Sequence, residues 1–266
     1  MIKIKDLSKL TPQEARLLIR ENKLIVPTSG ISKGHIQGNL AILPKDVAFE
    51  FLIFAQRNPK PCPILDVTDI GDPEPKLMAK GGDLRYDIPK YRVYKKGELV
   101  EEVTDIEKYW TDDMVGFVIG CSFSFESAML NAGIPVRHIE DNHNVPMYLT
   151  NIETTPAGMF HGKMVVSMRP VPYDQVVRAV TVTSRFPSVH GAPVHVGDPS
   201  LIGIKDVDKP DFGEASEIKE GEIPVFWACG VTPQSIAMTS KPEIMITHSP
   251  GYMLICDPVD EDFSVL

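Results

Sequence analysis

The middle of the chain switches from a short apolar run to an amphipathic one, a pattern that predicts a strand followed by a helix. Val115 to Ile119 is almost entirely apolar, as in a strand buried on both faces. Apolar residues then recur at the spacing of one helix face, at Phe125, Ala128, Met129 and Ala132. The residue order favours Ser124 as the N-cap of this helix.

The turn between this strand and helix consists of small residues, Gly120, Cys121 and Ser122. A turn of this kind directs free backbone N–H groups and hydroxyls toward one end of a strand, where small carboxylates bind readily. The alternative is that the residues are small only because the turn is crowded.

A second segment near the C-terminus repeats the pattern. Val225 to Ala228 is a short apolar run, Cys229 and Gly230 form the small pair, and Thr232 is the expected N-cap before a proline. The repetition predicts an internally duplicated strand–turn–helix unit. Two such turns could face each other across one crevice, which is where α/β folds often bind ligands.

The remaining patterns predict an α/β protein with a small insertion. A capping box at Thr11 begins a helix that runs to about residue 22, and residues 45–57 form a second helix. Residues 91–94 and 98–103 form a hairpin. The succession of strand, helix and strand over residues 163–172, 173–184 and 192–196 has the size of an inserted two-layer unit. We therefore assign residues 146–205 to the insertion, and 1–145 with 206–266 to the core.

Composition excludes several classes of function. The chain has 266 residues, a net charge of −9 and no basic block, so nucleic acid and anionic membranes are not expected partners. No apolar run is long enough to span a membrane, and the N-terminal MIKIKDLSKL lacks the features of an export signal. Four dispersed cysteines favour a reducing cytoplasm over a disulfide framework. We expect a homodimer only because homodimers are the commonest oligomers of soluble proteins.

Polar side chains that could do chemistry are spread along the chain. Histidine as a residue type ordinarily titrates near neutral pH, which makes His138 and His190 candidates to exchange a proton. No histidine pair has the spacing of a metal site, and neither a metal nor another cofactor is predicted. Cys121 and Cys229 precede helix starts, where the helix dipole would stabilise a thiolate; the alternative is that both are small buried residues. Arginine commonly binds a carboxylate through two parallel hydrogen bonds. The candidates for binding a substrate carboxylate in this way are Arg137, Arg169 and Arg185. The alternative for each is a structural ion pair.

A loop with the sequence GISKGHIQGNLAILP opens after Ser29. Its glycines would let the backbone lie close to a ligand, although their spacing matches neither dinucleotide nor phosphate-loop signatures. His35, Gln37 and Asn39 alternate along it as polar candidates. The alternative is an ordinary surface loop.

Several unusual strings together resemble the bacterial "putative hydro-lyase" family, also called the D-glutamate cyclase family, whose domain forms the N-terminal half of mammalian D-glutamate cyclase. They are NPKPCPILDVTD, GCSFSFE, GIPVRHIE, NVPMY, SRFPSVHGAPVHVGDP and VFWACGVTPQ. The resemblance covers roughly residues 11–257. It implies a three-layer α/β core with a small two-layer α+β insertion. It also implies cleavage of a carbon–oxygen bond with loss of water, and in the narrower case closure of D-glutamate to 5-oxo-D-proline.

Water loss from a small carboxylate or amino acid needs a cation for the carboxylate, a proton carrier and donors for developing negative charge. We predict that Arg137 holds the carboxylate, with Arg169 as a further substrate-binding residue, and that His138 or His190 exchanges the proton. The donors predicted for the two turns are Cys121, Ser122, Ser124, Cys229, Gly230 and Thr232. The alternative is a non-catalytic protein that binds a small carboxylate or amino acid and acts with a partner enzyme.

Overall fold

The computed structural model describes residues 6–265. Residues 1–5, which belong to the N-terminal segment judged free of an export signal, and residue 266 lie outside the described residues. The helices are α1 (Pro12–Arg20), α2 (Lys45–Arg57), α3 (Phe123–Asn131), α4 (Arg137–Glu140), α5 (Val176–Ser184) and α6 (Thr232–Ser240). Within residues 6–265, none of these is long and apolar enough to cross a membrane.

Eleven strands are distributed over two sheets in the described part of the chain. They are β1 (His35–Pro44), β2 (Ile64–Val67), β3 (Tyr91–Lys95), β4 (Glu98–Val103), β5 (Met114–Gly120), β6 (Met147–Glu153), β7 (Lys163–Pro172), β8 (His195–Val196), β9 (Glu222–Ala228), β10 (Met245–His248) and β11 (Leu254–Val259). The larger sheet has the order β2-β5-β1-β10-β3-β4, with β11 also paired to β1, and the smaller has the order β6-β7-β9-β8. All the pairings are antiparallel.

Strand β1 lies at the centre of the larger sheet. One edge pairs with β5 from Gly38 to Pro44, and the other pairs first with β11 and then with β10. Its side chains alternate between the two faces, as the pleat of a strand requires. Leu40 and Ile42 pack in the core that includes α3 and α5, whereas Ala41 and Leu43 pack in the core that includes α2 and α6. Helices therefore cover both faces of this sheet, and the predicted α/β class is confirmed.

One face of the smaller sheet packs in the core that includes α3 and α5. Trp227 and Val225 join the cluster around α3 and α5, while Phe226 and Met168 face the opposite side. The predicted strand–helix–strand succession is present as β7, α5 and β8, but β9 lies between the two strands in the sheet. Strand β9 falls in the part of the chain assigned to the core. The division at residues 146 and 205 remains a prediction.

Both strand–turn–helix units are present, as β5–α3 and β9–α6, but they belong to different sheets. Their origin in a duplication remains a prediction. The expected N-caps were wrong by one or two residues: Ser122 precedes α3 and Val231 precedes α6, and neither makes a side-chain cap. Ser124 lies inside the helix because its Oγ accepts a hydrogen bond from the backbone N–H of Gln37 instead. The capping box of α1, formed by Thr11 and Glu14, is confirmed.

Candidate functional site

The two small-residue turns meet in the interior of the protein. Cys121 and Cys229 share one buried apolar cluster, which also contains Phe123 and Val231. Crowding is severe: a Cβ on Gly120 would overlap the carbonyl oxygen of Ser188, which precedes β8. The corresponding turn of the second unit is equally crowded. A Cβ on its Gly230 would overlap the side-chain amide of Asn39. Steric crowding therefore accounts for the glycines of both turns.

The expected stabilisation of a thiolate at these turns was wrong. Burial raises the pKa of the Cys121 thiol far above its ordinary value, and burial raises the pKa of Cys229 to about 11. A helix dipole is weaker than the cost of placing a charged sulfur among apolar side chains. Both cysteines are therefore neutral thiols at physiological pH. Their participation in the site remains a prediction.

A charged network lies beside the first turn. Arg169 on β7 is completely buried and donates to Oε1 of Glu126 on α3, with its Nε 3.1 Å away. Its remaining donors reach Ser122 Oγ at 3.1 Å and Ser167 Oγ at 3.0 Å. Nε2 of His138 lies 3.1 Å from the same oxygen, Oε1, although its direction is not that of a hydrogen bond. The contacts of Arg169 and His138 with Glu126 therefore converge on a single oxygen.

This network decides the charge of Glu126. Burial by itself would raise the pKa of the carboxyl group, but the neighbouring His138 and Arg169 outweigh it and bring the pKa below the ordinary range. Glu126 is therefore an ionised carboxylate in the interior. Since the contacts of Arg169 and His138 go to Oε1, Oε2 is the oxygen left for another molecule.

The other predicted site residues have protein partners. Arg137 forms ion pairs with Glu140 and Glu222, at 3.1 Å for Glu140. His190 is buried, its Nδ1 lies 2.8 Å from the carbonyl oxygen of Lys60, and burial lowers its pKa to about 4. Thr232 donates to the Cys229 carbonyl at 2.7 Å. Their roles in binding or catalysis remain predictions.

A cavity of about 220 Å³ lies directly in front of Glu126. We call it the site cavity. Its walls are the loop that leads into β1, one side of α3, and the turn after β11. The lining residues are Ser8, Gly30, Ile31, Ser32, Lys33, Gly34, His35, Gln37, Phe123, Glu126, Ser127, Leu130, Ile139 and Asp260. The glycine-containing segment expected to be a loop is one only over residues 30–34, where it lines the cavity. The expectation was wrong from His35 onward, because that part is strand β1 at the centre of the larger sheet.

Three buried polar atoms of this lining have no hydrogen-bond partner in the protein: Ser32 Oγ, Gln37 Oε1 and Asp260 Oδ1. Gln37 cannot reverse its amide, because its Nε2 donates to the carbonyl oxygens of Thr28 and Ile31 at 2.8 and 3.4 Å. Buried polar atoms without a partner are costly, so a molecule in the cavity would compensate for them.

Asp260 differs from Glu126 in its protonation. Burial, and then the charge of Glu261, raise the pKa of its carboxyl group to about 7. The cavity therefore contains one carboxyl group that stays ionised and one that exchanges its proton near neutral pH. Such a separation of two pKa values is typical of acid–base pairs in enzymes.

The sequence did not show that the polar residues of this cavity lie together. The alternation of His35, Gln37 and Asn39 did identify Gln37 as a candidate, and His35 lines the cavity as well. Asn39 instead donates to the Gly120 carbonyl at 2.6 Å, away from this wall. Glu126 and Asp260 had no distinguishing local pattern. Among residues 6–265, no three His, Cys, Asp or Glu side chains form a group that could hold a metal ion.

A family model and the most similar proteins in the comparisons point to the same family. A family model described as D-glutamate cyclase matches residues 115–257. "Putative hydro-lyase" of Psychrobacter arcticus is 72% identical, covering 98% of this chain and 99% of that protein. "Putative hydro-lyase YcsI" of Bacillus subtilis is 61% identical, covering 97% of this chain and all of that protein. A nitrogen repressor-like protein from Methanococcus jannaschii matches 88% of this chain and 91% of its own at a TM-score of 0.39 and 11% identity, too distant to bear on the fold or function.

Proposed function

The chain belongs to the D-glutamate cyclase family, and we propose that it is a hydro-lyase that removes water from a small amino acid bound in the site cavity. The family name and the names of its relatives support an enzyme of this class. The observation that carries the proposal is the pair of buried carboxyl groups, Glu126 and Asp260, which line one cavity and differ in charge.

In its narrower form the proposal names D-glutamate as substrate and 5-oxo-D-proline as product. Ring closure forms a bond from the amino nitrogen to the side-chain carboxyl carbon and breaks one carbon–oxygen bond. Two protons of the ammonium group leave with the departing oxygen as water, so no oxidant or other reactant is needed. The protein must therefore hold the ammonium group, move its protons and balance negative charge on oxygen.

Asp260 suits the proton transfer. A group that both takes and gives a proton works best when its pKa is near the working pH, and that of Asp260 is about 7. We assign it the transfer of protons from the ammonium group to the departing oxygen. Glu126 suits the ammonium group itself, because Arg169 and His138 keep it ionised. Of the two histidines predicted to exchange a proton, His138 is the one that contacts Glu126.

Lys33 and His35 can balance the negative charges of the substrate. Both line the cavity, and Lys33 is exposed to solvent. Nδ1 of His35 lies 2.9 Å from the carbonyl oxygen of Asp257, which favours the proton on Nδ1 and leaves Nε2 for a ligand. Arg169 and Ser122 act one layer deeper, by holding Glu126 in position. Arg137 remains a predicted contact of the carboxylate, although its guanidinium is paired with two acidic residues.

Proton NMR of the purified protein with D-glutamate and, separately, L-glutamate tests this proposal. We expect resonances of 5-oxoproline, and a rate about a hundredfold lower in Glu126→Gln and in Asp260→Asn. Asp262→Asn is the matched control, since Asp262 is exposed and lies two residues from Asp260. Broadened ligand resonances without any product would replace the enzyme by the binding-protein alternative. Unchanged turnover in both site variants would move the chemistry elsewhere in the protein.

A further inference from the structure

Several buried hydrogen-bond acceptors line the site cavity. Gln37 Oε1 and Asp260 Oδ1 are buried without a partner, and Glu126 Oε2 lies beyond the contacts that Arg169 and His138 make to Oε1. Ser32 Oγ, also buried without a partner, can accept as well. Glu126, Gln37, Ser32 and Asp260 are each at least nine-tenths buried.

A wall with this composition discriminates between ligands by their charge. A carboxylate or phosphate placed there would meet the ionised Glu126, the amide oxygen of Gln37 and, once it has lost its proton, Asp260, all of which repel it. A neutral hydroxyl offers one donor for several acceptors. A compact cation offers either several N–H donors or a charge that oxygen atoms coordinate directly, and it would relieve the repulsion between Glu126 and Asp260.

The rigidity of the wall strengthens this reasoning. The amide of Gln37 is oriented by two backbone carbonyl groups, so its oxygen rather than its nitrogen is presented. Glu126 is held by Arg169 through a buried ion pair. The backbone N–H of Asp260 donates to the carbonyl of Gly34 at 2.9 Å, which ties the turn after β11 to the loop before β1. Preorganised acceptors of this kind bind a cation without a cost of rearrangement.

We propose that Ser32, Gln37, Glu126 and Asp260 form a cation-binding subsite in the site cavity. Two sources could supply the cation: the ammonium group of an amino acid substrate, or an inorganic ion such as Mg²⁺, Ca²⁺ or K⁺. The subsite rests on the proposed function only for the first of these ligands. In that case it sets the orientation of the substrate, with the ammonium group inside and a carboxylate toward Lys33.

The test compares two ligands of the same shape by calorimetry at pH 8, where Asp260 is ionised. D-glutamate carries an ammonium group, and (R)-2-hydroxyglutarate has a hydroxyl in its place. We expect the wild-type protein to bind D-glutamate at least about tenfold more tightly, since hydrogen bonds from a charged donor are stronger than those from a neutral hydroxyl. In parallel, the melting temperature is measured with MgCl₂, CaCl₂ and KCl against choline chloride of equal ionic strength.

Three variants interpret the result. Asp260→Asn and Ser32→Ala should reduce the preference for D-glutamate, or abolish stabilisation by an inorganic ion, whereas Asp262→Asn should behave as wild type. Preference for D-glutamate alone identifies the ammonium group as the cation, and stabilisation by one salt identifies an inorganic ion. Equal or undetectable binding of both ligands with no ion effect would overturn the subsite, as would equal effects of the Asp260 and Asp262 variants. Binding with this discrimination but without 5-oxoproline would overturn only the proposed reaction.

Discussion

The buried carboxyl group of Asp260 makes a quantitative prediction about stability. The group has a pKa of about 7 in the folded protein against an ordinary value of 3.8. Between these two values the folded state keeps the proton and the unfolded state releases it. Stability therefore falls as the pH rises through this interval, and the penalty is complete above pH 7.

Asparagine in this position has the shape of the protonated acid but cannot ionise. At 1.36 kcal/mol for each pH unit, the penalty on the wild type reaches about 4 kcal/mol at most, of which about 3 kcal/mol develops between pH 5 and pH 8. Asp260→Asn should therefore become more stable relative to wild type by about 3 kcal/mol across that range. The variant should at the same time lose activity, which is the usual relation between stability and an active site.

Urea unfolding followed by tryptophan fluorescence at pH 5, 6.5 and 8 measures this difference. The comparison of variant with wild type at each pH removes the contributions of all other titrating groups. Asp262→Asn serves as the control, because its side chain is exposed and the same charge is removed. A difference between Asp260→Asn and wild type that does not change with pH would refute the burial of an ionisable group at this position.

Three further predictions concern the buried ion pair of Glu126, the turn at Gly120 and the buried cysteines. Arg169→Met should reduce the free energy of unfolding by about 3–5 kcal/mol in urea titrations, because it leaves Glu126 buried without its cation; an unchanged midpoint would contradict the ion pair. Gly120→Ala should lower the melting temperature by several degrees, since the added Cβ would overlap Ser188 and cost about 1–3 kcal/mol. The four cysteines are buried, so a thiol reagent such as DTNB should label none rapidly in the native protein and four in urea; fast labelling of one in the native state would count against the raised pKa values.

Local patterns predicted the elements well because hydrophobic periodicity and turn chemistry act over a few residues. The strand around Phe117, the hairpin of β3 and β4, and helix α2 follow directly from such patterns. The N-cap of α3 did not, because the hydroxyl of Ser124 bonds to Gln37, which is 87 residues away in sequence. A capping preference of about 1 kcal/mol is easily overridden by a buried contact of this kind.

The site itself was predictable only in fragments. The sequence identifies Arg169 as a candidate carboxylate-binding residue, but its partner Glu126 lies 43 residues earlier and has no distinguishing local pattern. Asp260 comes from a short 3-10 turn whose sequence resembles any acidic surface segment. The pKa values of Asp260 and of the Cys121 thiol are raised by burial. A sequence pattern does not reveal whether one particular polar side chain is buried.

The pairing of β1 has a consequence for folding. This strand joins residues 114–120 on one edge and residues 245–259 on the other, so its two neighbours are separated from it by about 80 and more than 200 residues of chain. Contacts of such high contact order form slowly, because closing a long loop costs entropy before the strand pairs stabilise it. The last strand also brings Asp260 to the cavity. The site cavity therefore exists only once the chain up to Asp260 has been made and has paired with β1, so a ligand could stabilise only a chain that extends at least that far.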